Sequence, residues 1–223
     1  MKVHSIFGVD VLMSCTTLFF VHNQGSKLQT KVLNSALKLF VEQGFHKTSV
    51  PDLVADSGVS IGSIYKHFGD KEGLAKELMA RLFEELSRQQ KTIIEQYAHS
   101  KDQYRALVAW MFQFALEFPD VMAFLLYARH QNFLPDTRSA CSAKPFMMLR
   151  DVIAQGIERK EIKQQDPLIM AAVAFGPVLR ILQLYIDGVL PKPLTAYQDE
   201  LIATSWQAIA YSNNNNDGDN KKG

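Results

Sequence analysis

Apolar positions recur at steps of three and four from about residue 27 to residue 211, without strand-like alternation between turn residues, which predicts an all-α chain. The first helix is expected from Lys27 to Gln43. There Leu28, Val32, Ala36 and Leu39 or Phe40 share a stripe, and Gly44 offers a left-handed stop. A second starts at Thr48 or Ser49, either of which can cap it, tolerates Pro51 in its first turn and ends at Gly58. A third, very short, opens at Ser60 and closes at Phe68. Asp70 then caps a long helix in which Leu74, Leu78, Leu82 and Leu86 repeat every four residues.

Further along, Tyr104, Leu107, Met111, Phe114 and Phe118 line one helix face, with Trp110 and Phe112 beside it, until Pro119-Asp120 breaks and restarts the helix. Another helix is expected near Ala140–Lys160. Asp166-Pro167, a cap followed by proline, starts one that runs to Asp187, with a kink at Gly176-Pro177. The last spans about Thr195 to Tyr211. These last two helices are apolar around much of their girth, so both should be buried on several sides.

Two short helices joined by a few residues containing glycine make a helix-turn-helix. Here Ser49–Ser57 and Ser60–Phe68 meet around Gly58-Val59, and the N-terminal turn of the second, Ser60-Ile61-Gly62-Ser63, would enter the major groove. Gly62 weakens this helix by roughly 1 kcal/mol relative to Ala, a cost that a close approach of backbone to DNA would justify. Tyr65, Lys66 and His67 offer donors to phosphate oxygens, and Lys71 adds a cation at the next helix start. Ile64 and Phe68 read as core.

Composition sharpens this little. The 223 residues are 47% hydrophobic with a net charge of +1, so DNA binding must come from a local surface. Cys15 and Cys141 form no disulfide framework, the histidines lack ligand spacing, and no cofactor motif is present. A redox-sensing Cys141 is the alternative to two inert thiols. Residues 1–24 are expected to be a loose arm or a start-site extension, with Met13 as a candidate start. Their apolar run is interrupted by Asp10 and is shorter than a membrane span. No other membrane-crossing segment is expected, which points to the cytoplasm. Residues 212–223 carry too little apolar surface to order.

The runs Gly44-Phe45-His46-Lys47-Thr48-Ser49-Val50, Leu53 through Phe68 and Lys71-Glu72-Gly73-Leu74 strongly resemble the DNA-binding head of the tetracycline-repressor family. The resemblance covers about residues 27–85; beyond residue 90 only the helical style is shared. It implies a homeodomain-like three-helix head at 25–85 on a ligand-binding and dimerisation body of about six helices at 86–211. By the resemblance, Thr48 and Lys71 bracket the motif as phosphate contacts, and Ser60, Gly62 and Ser63 meet bases or nearby backbone. Tyr65 and His67 match the family's phosphate-anchoring pair. Ile61 stands where relatives often carry Lys or Arg, and could instead touch a thymine methyl.

The family's body binds effectors, and the last two helices of each chain form its dimer interface. The resemblance therefore implies a homodimeric, non-enzymatic repressor, released from a palindromic operator by a small molecule. The bulky groups that could wall an effector pocket are Trp110, Met111, Phe114, Phe118, Met122, Tyr127 and Phe146, with Arg129 and His130 at one end. Between Gln103 and Leu134 the only acids are Glu117 and Asp120, so a neutral or weakly anionic, mostly apolar effector is expected. An all-α enzyme lacks support from any nucleophile or metal motif. A helical interaction protein that has lost DNA binding is favoured only by Ile61 and the small net charge.

Overall fold

The computed structural model describes residues 26–127 and 143–211; Cys15, Arg129, His130, Cys141 and both tails lie outside them. Among the described residues there are nine α-helices. These are α1 (Lys27–Glu42), α2 (Val50–Ser57), α3 (Ile61–Phe68), α4 (Lys71–Ile94), α5 (Ser100–Glu117), α6 (Pro119–Tyr127), α7 (Lys144–Glu158), α8 (Pro167–Ile186) and α9 (Gln198–Ile209). A 3-10 turn, Leu194–Tyr197, precedes α9, and a single antiparallel bridge joins Ile162 to Ala210. The expected continuous helix from Thr195 is thus a tight turn first: Pro193 leads into it, and α9 starts only at Gln198.

The caps explain most boundaries. Ser26 and Gln29 form a reciprocal capping box on α1, and Ser49 forms another with Asp52 on α2. Ser60 Oγ accepts from Ser63 N to start α3, and Asp166 accepts from Leu168 N and Ile169 N to start α8. Gly44, Gly58, Gly69 and Gly188 all carry positive φ where a helix must stop.

The chain divides into two compact units. The head unit holds the described residues up to Glu85 together with those from Gln113 to Tyr127. Its core is built from Val32, Leu33, Ala36, Leu37 and Phe40 of α1, with Leu53, Ile64, Phe68, Leu74, Leu78 and Leu82. The buried stripe of α1 is therefore wider than expected, while Leu28 and Leu39 are half-buried. α6 packs on α1, and Phe124 stacks on Phe40 with ring centres 6.3 Å apart.

The body unit holds Leu86–Phe112 and the described residues from 143 onward. Tyr104 is its pin. Fully buried, it donates to the Ala174 carbonyl at 3.0 Å and meets the rings of Phe175 and Trp206, linking α5, α8 and α9. Burial pushes its phenol up to about 12 against the opposing hydrogen bond of Ser205. Glu161 is a second tie. It accepts from Ser100 N at 2.7 Å at the start of α5 and pairs with His99 Nδ1 at 3.0 Å, while its carbonyl accepts from Tyr211 N.

Burial pushes the Glu161 carboxyl up, but the bonds from His99 and Ser100 outweigh it and hold the group below its ordinary value. A carboxyl with a depressed folded pKa adds stability at pH above its unfolded value. That stability is lost as pH falls below about 4.5 toward the folded value. Tm measured against pH should therefore drop on the acid side in the wild type and drop less steeply in Glu161→Gln. Parallel curves would show that the carboxylate contributes nothing.

α8 departs from expectation in two ways. Its only charged residue is Arg180, so by length and composition it could cross a bilayer, contrary to the expectation that no such segment exists. It is also not buried on several sides within its own chain. Leu168, Ile169 and Val173 are exposed by 60%, 57% and 36%, and Ala172 between them is exposed too. Ile209 of α9 is, by contrast, fully buried in its own chain.

Candidate nucleic-acid interface

Three residues, Gly58-Val59-Ser60, separate α2 from α3. Gly58 turns the chain in the left-handed region at φ 67°, and Val59 seals the turn by being buried. Lys38 of α1 reaches Asp56 of α2 at 2.7 Å, which helps hold the first two helices together. The Asp56 carboxyl lies below its ordinary value because Lys38 donates to it.

On α3, Ile64 and Phe68 face the core, as expected, and Ser60, Ile61, Gly62, Tyr65, Lys66 and His67 are exposed, with Ser63 half-buried. Ile61 and Tyr65, large side chains left 48% and 49% exposed, stand one helical turn apart on the open face. The hydroxyls of Ser60 and Ser63 lie 2.9 Å apart, so one polar pair both caps the helix and fronts it. Gly62 is open, with nothing near the place of a side chain.

The two bracketing residues make contacts within the head itself. Thr48 is 1% exposed; its hydroxyl donates toward the Gly44 carbonyl at 3.0 Å and accepts from Gln43 Nε2 at 3.3 Å. Lys71 donates to the Phe45 carbonyl at 2.9 Å and its ammonium lies 4.4 Å from the centre of the Phe45 ring. Both side chains are engaged inside the head, where they brace the loop between α1 and α2. Only the aromatic type of Phe45, directly after Gly44, hints at this partnership from the local pattern.

The turn after α3 is tight. Gly69 adopts φ 78°, ψ −69°, and Asp70 N donates to the Phe68 carbonyl at 3.0 Å, closing a three-residue turn. Asp70 Oδ1 accepts from Gly73 N at 2.6 Å. A Cβ on Gly73 would collide with the Phe68 carbonyl oxygen and approach Asp70 Oδ1 to 3.2 Å. The glycine is there for space.

The expected effector residues fall in both units. Phe114, Phe118 and Met122, all buried, and Tyr127, 48% exposed, are in the head unit, where the rings of Phe114 and Phe118 sit 5.3 Å apart. Met111, buried, with Trp110 and Phe146, half-buried, is in the body unit. Trp110 Nε1 donates to Gln89 Oε1 at 2.8 Å. Arg129 and His130 are outside the described residues.

A helix-turn-helix head with an exposed polar reading face, carried on an all-helical body, defines a DNA-binding regulator class. Residues 32–78 match the model of bacterial regulatory proteins of the tetR family, and residues 78–211 match the tetracycline-repressor-like C-terminal domain. The chain belongs to the tetR family of bacterial regulatory proteins. Among curated relatives, it is 29% identical over 85 residues to the HTH-type transcriptional repressor KstR2 of Rhodococcus jostii. That match covers 38% of this chain and 42% of the relative, less than half of its length. KstR2 of Mycobacterium tuberculosis is 25% identical over 142 residues, 62% of this chain and 70% of the relative. A solved tetR-family regulator from Shewanella sp. PV-4 superposes with a TM-score of 0.70 at 23% identity, covering 84% of this chain and 100% of that one. FadR of Bacillus subtilis, solved in complex with stearoyl-CoA, superposes at 0.66 and 17% identity, over 80% and 98% of the two chains.

Proposed function

We propose that the chain is a homodimeric cytoplasmic repressor, released from a palindromic operator by a small, mostly apolar effector. The observation that carries the reading is the exposed face of α3. Ser60, Ile61, Gly62 and Tyr65 lie open on a helix whose other face, Ile64 and Phe68, is locked in the core. Tyr65, Lys66 and His67 supply donors to phosphate, and Ile61 supplies an apolar surface to a thymine methyl. Thr48 and Lys71 hold the loop that positions them.

The stripe Leu168, Ile169, Ala172 and Val173 supports a dimer, because a second copy can cover it by the same stripe around a two-fold axis. Two reading helices would then be set roughly 34–36 Å apart, one turn of DNA. The packing of Phe124 on Phe40 gives α6, which also carries the effector candidate Met122, a direct hold on the first helix of the head. An effector that favours one placement of α6 would thus shift the population of heads that fit DNA. The likeness to FadR, solved in complex with stearoyl-CoA, supports an effector with a long apolar part.

A gel shift with the DNA upstream of its own gene, repeated at rising salt, tests the reading. Tyr65→Phe should weaken operator and random DNA alike, by about two- to tenfold, through loss of one phosphate donor. Ile61→Ala should leave random DNA unaffected but alter the preference at one base pair of the operator, by about 1–3 kcal/mol. If both variants bind like the wild type at physiological salt, α3 is not the reading helix.

A further inference from the structure

The end of α4 carries two buried polar side chains that the chain itself does not satisfy. Ser87 and Gln90 are 4% and 3% exposed, and Ser87 Oγ and Gln90 Oε1 have no hydrogen-bond partner. Three residues apart, they share one helix face. Both belong to the body unit. Beside them α5 runs antiparallel, an arrangement fixed by the bond from Trp110 to Gln89 and by Gln103 Nε2, which donates to the carbonyls of Ile94 and Tyr97 at 3.2 and 2.9 Å. At this level α5 contributes Leu107, Val108 and Met111, all buried and apolar.

Ser100 Oγ and Gln103 Oε1 of this unit also lack a partner, but those two residues hold the fold together through their other polar atoms. Gln103 closes the end of α4, and Tyr104 ties α5 to α8. Ser87 and Gln90 do nothing comparable. Native interiors satisfy nearly all buried polar atoms, because an orphan loses its bond to water and gains nothing. An unsatisfied pair on one helix face is open to a bound partner.

We propose that Ser87 and Gln90 form the polar end of the effector site, and that the effector is a neutral, largely apolar molecule bearing a hydroxyl. This rests on the ligand-responsive reading above. A hydroxyl both donates and accepts: it gives its proton to Gln90 Oε1 and accepts the proton of Ser87. Neither residue is charged, so an ionised head group placed against them would lose hydration without receiving a counter-charge from the pair.

The test uses the full-length chain and the double variant Ser87→Ala, Gln90→Met, whose side chains keep similar volumes. The probes are decanol, its isostere methyl nonyl ether, and decanoate, with binding followed by calorimetry and operator binding by gel shift. The wild type should prefer decanol to the ether by about five- to a hundredfold. The variant should lose that preference and keep its operator affinity. Its ligand-free Tm should rise by a few degrees, because the groups removed had no partner to lose.

A lower ligand-free Tm in the variant would overturn the proposal, because it would mean that the pair is satisfied within the chain or by ordered water. So would an unchanged preference in the variant, or a wild type that favours decanoate. A wild type that binds operator but not decanol defeats this inference alone. One that binds no operator defeats the regulator reading instead.

Discussion

Replacing Ala172 by Glu is expected to turn the protein into a folded monomer with operator affinity lowered about a hundredfold or more. The side chain lies on the open stripe of α8 between Ile169 and Val173, so in a lone chain the carboxylate stays in water and the fold survives. Across a two-fold contact the same carboxylate would be buried near its symmetry mate, with no cation supplied by the stripe. A dimer holds two heads on one operator, and severing it removes the gain from linked binding, which commonly reaches 10²–10⁴. Ile209→Glu is the control. That residue is fully buried within its own chain, so the charge should unfold the body. Light scattering, circular dichroism and fluorescence anisotropy on labelled operator separate the outcomes. A soluble Ala172→Glu dimer with normal affinity would place the interface elsewhere.

That contrast between two apolar residues marks the limit of what periodicity reveals. Both Ala172 and Ile209 sit on apolar stripes, and spacing alone says that each is buried without saying by which chain. Ala172 is open and Ile209 is closed because the bridge between Ile162 and Ala210 draws the end of α9 into its own fold. Local signals are more fully legible. Ser49, Ser60, Asp70 and Asp166 mark helix starts, and Gly44, Gly58, Gly69 and Gly188 mark stops, because a cap or a positive φ involves only neighbouring residues.

The candidate site splits along the same line. The faces of α3 follow from its own eight residues, so Ile64 and Phe68 inward and Tyr65 outward are legible in sequence. The place of Lys71 depends on Phe45, 26 positions away, and nothing in the local pattern links them. Thr48 is a sharper case. A hydroxyl beside an N-cap serves DNA or its own loop equally well by composition, and only the fold delivers Gln43 and the Gly44 carbonyl to it. Ser87 and Gln90 are illegible for a related reason: within an amphipathic helix two polar residues read as surface, and their burial is a property of the packed body.

Two glycines of the head should change stability in opposite directions on adding the same methyl. Gly73→Ala places a Cβ against the Phe68 carbonyl, a backbone atom that cannot rotate away. The turn from Phe68 to Asp70 must then shift, and the bonds that Asp70 N donates to the Phe68 carbonyl and Gly73 N donates to Asp70 Oδ1 shift with it. Phe68 is a core anchor of α3, so the displacement reaches Tyr65 and His67 on the same short helix. Overpacking of this kind costs about 1–3 kcal/mol, and operator affinity should fall at least tenfold even where the protein remains folded. Gly62 has open space around it and an ordinary helical φ. Gly62→Ala should raise stability by up to roughly 1 kcal/mol, since alanine is the better helix former. Its DNA affinity should nevertheless fall, because the methyl occupies the surface by which the backbone approaches the groove. Thermal unfolding and anisotropy titrations on both variants check the pair. A Gly73→Ala protein with wild-type Tm and affinity would show that the turn yields freely. A Gly62→Ala protein with unchanged affinity would mean that the backbone of α3 does not come close to DNA.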